Sequence, residues 1–156
     1  MEQSDKDMLF EPLASIKRDG ILGLKLGDAE EKVLSRIKTL GLLNDEEIKR
    51  GKLSIAAGLK TVESGYLIIG QNMFREISSI QLNINCFGLK TITVNIKRKQ
   101  NITIQQQLEQ LTVLVNYITG QMPTPGLRLW NLDNNNISVY YIDNNVICLE
   151  FDKHLY

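Results

Sequence analysis

The stretch Ile80-Gln81-Leu82-Asn83-Ile84-Asn85-Cys86-Phe87-Gly88-Leu89-Lys90-Thr91-Ile92-Thr93-Val94-Asn95-Ile96-Lys97 decides the fold. Side chains of a β-strand point alternately to its two faces, so residues two apart share an environment. Ile80, Leu82, Ile84 and Cys86 fall on one face, and Ile92, Val94 and Ile96 continue it after a turn at Phe87-Gly88. The intervening residues Gln81, Asn83, Asn85, Thr91, Thr93 and Asn95 are amides and hydroxyls. The pattern predicts an antiparallel hairpin with one dry and one wet face.

Outward from the hairpin, the period changes. Val33, Leu34, Ile37 and Leu40 recur at helical spacing, with Lys32, Arg36 and Lys38 on the other side. Asp28 followed by Glu31 has the spacing of a capping box, and Gly41 suits the left-handed stop. A second helix opens with Thr103 and Gln106 in the same spacing. Its stripe is Leu108, Leu111, Val115 and Ile118, widened by Ile104, Leu114 and Tyr117, and Gly120, Pro123 and Pro125 end it. Asn44-Asp45-Glu46-Glu47 predicts a short helix, residues 52–60 a weak strand or bend, and Tyr66 to Ile69 a strand followed by a turn at Gln71-Asn72.

Leu127 to Phe151 predicts three strands, separated by Asp133-Asn134-Asn135-Asn136 and Asp143-Asn144-Asn145, residue types that favour tight turns. Leu129, Ile137, Val139, Tyr141, Val146, Ile147, Leu149 and Phe151 supply its apolar face. Trp130 and Tyr140 are placed at the edge of that face or on the opposite side.

Strands that follow helices in blocks argue for an α+β fold, an antiparallel sheet with amphipathic helices packed on one face. The chain of 156 residues is expected to form one domain, with similar helix-then-strand halves at 20–99 and 100–152 and a flexible N-terminal segment over 1–12. The step Gly23-Leu24-Lys25-Leu26-Gly27-Asp28-Ala29-Glu30-Glu31-Lys32-Val33 resembles the opening of small tandem helix-plus-meander proteins, the β-lactamase inhibitor proteins and small outer-membrane assembly lipoproteins. That resemblance implies their architecture and an exposed sheet face that binds another protein. Those families are exported and carry lipid-anchor or disulfide cysteines, which have no counterpart here, so no functional residue is carried over.

Composition excludes several partners. Eighteen Lys plus Arg balance eighteen Asp plus Glu, giving no overall field for nucleic acid or an anionic membrane. The run Lys97-Arg98-Lys99 ends a strand, where charges prevent edge pairing, and a phosphate patch needs more clustered cations. The polar start, Met1 to Asp7, has no apolar signal-peptide core. No uncharged stretch could cross lipid without carrying prolines and amides. The expected location is cytoplasmic, or exported if a leader has been removed. Cys86 and Cys148 lie in apolar patterns without metal or redox spacing, and are read as buried free thiols unless export lets them pair.

Little in the sequence points to catalysis. His154, the single histidine, is expected to be a solvated tail residue. The glycines of Gly20 to Gly27 do not match a phosphate loop, and the apolar residues between them should face the core. The Asp/Asn turns lack the glycine and distal glutamate of a calcium loop, and Asp45-Glu46-Glu47 suits a helix N-terminus. No cofactor or metal is expected.

Two surfaces remain as binding candidates. One is the wet strip Gln81, Asn83, Asn85, Thr93 and Asn95, joined by Thr91. The other is Trp130 with Tyr140, Tyr66 and Arg128, residue types favoured as interface anchors. The bland alternative is that the strip is merely solvated and Trp130 belongs to the core. The function expected is therefore a non-enzymatic module that binds another protein, such as an inhibitor or immunity-type protein. The alternatives are a structural subunit of a phage particle or other multi-protein assembly, with a homo-oligomer allowed, and third a small hydrolase with a carboxylate site.

Overall fold

The computed structural model describes residues 12–42, 66–142 and 145–154. A short 3-10 helix, Pro12–Ser15, leads to a small hairpin of β1 (Gly20–Ile21) and β2 (Leu24–Lys25), then to helix α1 (Glu30–Leu40). Strands β3 (Tyr66–Ile69), β4 (Ile77–Asn85) and β5 (Gly88–Lys97) follow. Helix α2 (Ile104–Thr119) then precedes β6 (Leu129–Asn131), β7 (Asn135–Ile142) and β8 (Val146–Lys153). The last six strands form one antiparallel sheet in the order β3-β4-β5-β8-β7-β6. A helix followed by a three-stranded meander thus occurs twice, and the final strands of the two meanders, β5 and β8, pair at the centre. The fold is α+β, as the block order of elements implies. Among the described residues no helix is long and apolar enough to cross a membrane.

The dry face of the hairpin forms as its alternation requires. Ile80 lies opposite Val94 and Leu82 opposite Ile92. The row continues through β8, where Leu149 pairs with Val94 and Phe151 with Ile92, and reaches Val139 and Ile137 of β7. Val33, Leu34 and Ile37 of α1 and Leu108, Leu111 and Val115 of α2 join these residues in a single core, so both helices cover the same side. Two irregularities keep the pattern in phase. Ser78 is extra in β4 and Lys90 in β5, each bulging where the ladder skips a residue.

Gly88 carries a close approach that a side chain would forbid. A Cβ there would come within 2.6 Å of the Gly27 carbonyl oxygen, and φ is 109°. The Gly27 N–H donates to the Leu89 carbonyl at 2.8 Å, and the Leu89 N–H donates to the Asp28 carbonyl at 2.8 Å. This tie fixes the entry of α1 against the start of β5. It also explains a departure from the capping expectation, because Asp28 is held by the strand and Ala29 becomes the N-cap, with no side-chain cap bond. The Asp28 carboxylate instead accepts from the Lys25 N–H and pairs with Lys32. At α2 the expected box is complete: Thr103 Oγ1 accepts from the Gln106 N–H, and Gln106 Oε1 accepts from the Thr103 N–H.

Other expectations need correction. Tyr117 does not widen the buried stripe of α2 but is 86% exposed, and the buried flank carries Gln107, Thr112 and Thr119 instead. The β4 strand stops at Asn85, so Cys86 sits in the turn and is exposed, while Cys148 is a buried free thiol. Leu129 lies opposite Ser138 on the side away from the helices. The apolar residues of the Gly20–Gly27 step do face the core, as Ile21, Leu22, Leu24 and Leu26 are buried. The short helix expected near Asn44, the strand or bend at 52–60 and most of the N-terminal segment lie outside the described residues.

Candidate functional site: the uncovered face of the sheet

The register places a continuous set of side chains on the face opposite the helices. Gln81, Thr93, Glu150 and Ser138 form one row across β4, β5, β8 and β7. Asn83, Thr91, Asp152 and Asn136 form the next, and Ser79, Asn95, Cys148 and Tyr140 flank the first on its other side. The strands hold these groups at the fixed spacing of a pleated surface, so their relative positions are set by backbone pairing.

Most of the polar groups are already engaged with one another. Glu150 Oε1 accepts from the Tyr140 hydroxyl at 3.1 Å and the Thr93 hydroxyl at 3.3 Å. Asp152 accepts from the Thr91 hydroxyl at 3.1 Å and from the Lys90 ammonium, which also reaches the Lys153 carbonyl. Asn95 donates to Ser79 Oγ at 3.0 Å and accepts from the Cys148 thiol at 3.4 Å. Asn85 accepts from the Phe87 N–H at 2.8 Å and shapes the turn. Two amides are left with unused capacity. Gln81 makes no side-chain hydrogen bond among the described residues, and Asn83 Oδ1 is buried without a partner.

The electrostatics favour neutral groups. Burial, first, and then the Glu150 charge push the Tyr140 phenol well above its usual value. Burial also raises the Cys148 thiol, which keeps it protonated and makes it a poor nucleophile. Among the described residues no cluster of three or more His, Cys, Asp or Glu side chains could hold a metal ion. The arrangement offers hydrogen-bond donors and acceptors on a rigid surface.

The residues singled out in the sequence do not all meet. Gln81, Asn83, Asn85, Thr93, Asn95 and Tyr140 share the uncovered face, though Thr93 is largely covered by its neighbours. Trp130 does not. It is fully buried on the helix side, opposite Ile137, and its Nε1–H donates to Asn116 Oδ1 of α2 at 2.9 Å. The expectation of an exposed anchor fails there because a three-residue strand has too few positions to reveal its phase. Arg128 also turns to the helix side, donating to Gln105 at 3.2 Å.

Comparison with known proteins adds no relative. No protein-family model, curated protein or solved structure matches this chain.

Three features of the face escaped the sequence reading. Glu150 and Asp152 stand beside the wet strip, so the surface as a whole is not uncharged. His154 is not a free tail residue, since its ring Nε2 lies 2.8 Å from Asn136 Oδ1 and its backbone N–H donates to Asn134. The alternation of Cys148, Glu150 and Asp152 against Ile147, Leu149 and Phe151 was available as a signal. The third feature is the edge of β7. Its partner β6 reaches only to Ser138, which leaves Tyr140, Tyr141 and Ile142 exposed beyond it.

Proposed function

We propose that the chain is a non-enzymatic binding module that engages another protein through the uncovered face of its sheet, as an inhibitor or immunity-type protein would. The observation that supports this reading most is the pair Gln81 and Asn83, neighbours on the outer side of β4 and carrying unspent amide groups beside a surface most of whose other polar groups are already matched. Desolvating a neutral amide is less costly than desolvating a charge, and each unpaired group gains from a partner. The site expected at the outset therefore narrows to Gln81 and Asn83, with Asn95, Thr93 and Tyr140 as their fixed surroundings.

The test is affinity capture from the native host with three folded baits in parallel: the natural chain, Gln81→Arg, and Glu109→Arg on the exposed side of α2. A partner retained by the natural chain and Glu109→Arg but lost with Gln81→Arg supports the reading. Identical capture by all three rejects it.

The second reading, a structural subunit of a phage particle or other assembly, is favoured by the β7 edge. The Val139 N–H donates to the Arg128 carbonyl, so Tyr141, two residues on, turns its backbone groups to the same open side. An exposed apolar edge is a template for strand addition. Light scattering separates the readings: a monomer at all concentrations favours the binding module, and growth that Tyr141→Pro abolishes favours assembly. Cytoplasmic residence stays part of the proposal.

A further inference from the structure

The Lys97-Arg98-Lys99 run, which the sheet face does not use, borders a cavity of about 450 Å³ on the helix side. Its inner wall is apolar, formed by Leu13 of the first turn, Ile96 of β5, and Leu111 and Leu114 of α2. A volume of this order suits a small organic molecule. The rim has the opposite character. Arg75, Lys97, Arg98 and Lys99 all line it, against one carboxylate, Glu76.

None of these four cations is ion-paired among the described residues. The Lys97 ammonium donates to the Phe74 carbonyl and the Lys99 ammonium to the Gln110 amide, both neutral acceptors. In a chain whose 18 basic and 18 acidic residues balance, a local group of cations with no paired carboxylate among the described residues is a concentrated positive field. Arg98 is the best placed. Its Nη1 donates to Gln107 Oε1 at 2.7 Å and to the Lys99 carbonyl, while its Nε is buried without a partner. Gln107, itself buried, also accepts from the Lys99 N–H and donates to the Lys97 carbonyl. That clamp holds the guanidinium in the cavity lining and leaves its Nε and Nη2 N–H donors unspent.

We propose that this cavity binds a small amphipathic anion, its aliphatic body against Ile96, Leu111 and Leu114 and its carboxylate or phosphate head on Arg98 with Lys99. An apolar wall alone would suit a neutral hydrocarbon, and a cationic rim alone would suit free phosphate. Their juxtaposition selects a molecule that carries both properties. The site is independent of the sheet-face reading, because it lies on the other side of the sheet.

The test is calorimetric titration of the full chain with decanoate, decyl phosphate and 1-decanol, each below its aggregation limit, with amide NMR to locate the site. Saturable one-to-one binding of decanoate or decyl phosphate is expected, with shifts centred on Ile96, Leu111 and Leu114. Loss of the charged head in 1-decanol should weaken binding roughly tenfold or more. Arg98→Gln should weaken decanoate binding by about the same factor and leave 1-decanol unchanged. Lys99→Gln, at an exposed position, should weaken it by roughly threefold and covers the case in which Arg98→Gln fails to fold. Tighter binding of decyl phosphate than decanoate supports the proposal and assigns a phosphate head. Equal affinity for the acid and the alcohol, no saturable binding, or shifts confined to other surfaces overturns it.

Discussion

The two helix-plus-meander halves match on their inner sides and differ on their outer sides. Inside, each presents large apolar residues at alternate positions along the centre of its long strands, aliphatic in the first half and including Phe151 in the second, and each is roofed by one helix. Outside, β4 and β5 carry only amides and hydroxyls in the central rows, whereas β8 and β7 carry Glu150, Asp152, Cys148 and Tyr140. Inner positions are constrained by close packing, which tolerates few shapes. Outer positions are constrained only by solubility and by whatever they touch. The asymmetry therefore assigns pH response to the second half and neutral recognition to the first.

The sharpest break between the halves should come at their edge strands. Trp130 fills the core under β6 and bonds Asn116, while β3 places the smaller Leu67 and Ile69 at the equivalent edge. Trp130→Ala should cost about 3–5 kcal/mol, since it opens a large cavity and removes the donor to Asn116. Guanidinium unfolding measures it. A cost under about 1 kcal/mol would show that Trp130 packs loosely and is available as the surface anchor its residue type suggests.

Next in size is the joint between the halves. Gln107 of α2 binds the backbone of Lys97 and Lys99 where β5 ends, whereas α1, which carries no amide side chain, is tied by Arg36, whose Nε donates to the Leu22 carbonyl. Gln107→Ala should cost about 2 kcal/mol, because a part-buried N–H and carbonyl lose their partners together and the buried amide leaves a gap. Hydrogen exchange at Lys99 should accelerate in the variant. Unchanged protection at that amide would mean water replaces the bonds freely.

The caps provide a finer comparison, and they show what was legible in the sequence. Thr103-x-x-Gln106 and Asp28-x-x-Glu31 look alike, yet only the first forms a box. Thr103→Ala should cost about 1 kcal/mol and Asp28→Ala about half as much, the latter losing an exposed ion pair and a turn bond. Equal costs would make the two caps equivalent after all. Local spacing predicts a cap where nothing else competes for the residue. At Asp28 a long-range contact competes, because Leu89 binds its backbone and the chain arrives with Gly27 pinned. The same distinction runs through the fold. Long alternations such as Ile80 to Ile96 revealed the inner face but not the bulges at Ser78 and Lys90 that set the register, while Trp130, in a strand of three residues, had no period to read. Of the uncovered face, the amides of β4 and β5 were legible, and Glu150, Asp152 and the bond from His154 to Asn136 emerged only once β8 was seated beside β5.

The smallest effect should be a slope with pH, and it should belong to the second half alone. Burial raises both Tyr140 and Cys148 in the folded chain, and both are neutral when protonated. Below their unfolded values the two states bind the same protons there, and these groups contribute no pH dependence. As pH rises through the unfolded thiol value near about 8.5 and then the phenol value near about 10, the unfolded chain releases protons that the folded chain retains. Stability must fall across that interval, and the fall stops only above the raised folded values. The effect is modest because Tyr140 is 38% exposed and water screens its interaction with Glu150. Denaturation midpoints of the natural chain and of Tyr140→Phe/Cys148→Ala, taken from pH 7 to pH 11, isolate the contribution by difference. The double variant should lose less stability over that range. A parallel fall in both proteins would place the alkaline titration elsewhere, and the outer face of the second half would then be as indifferent to pH as that of the first.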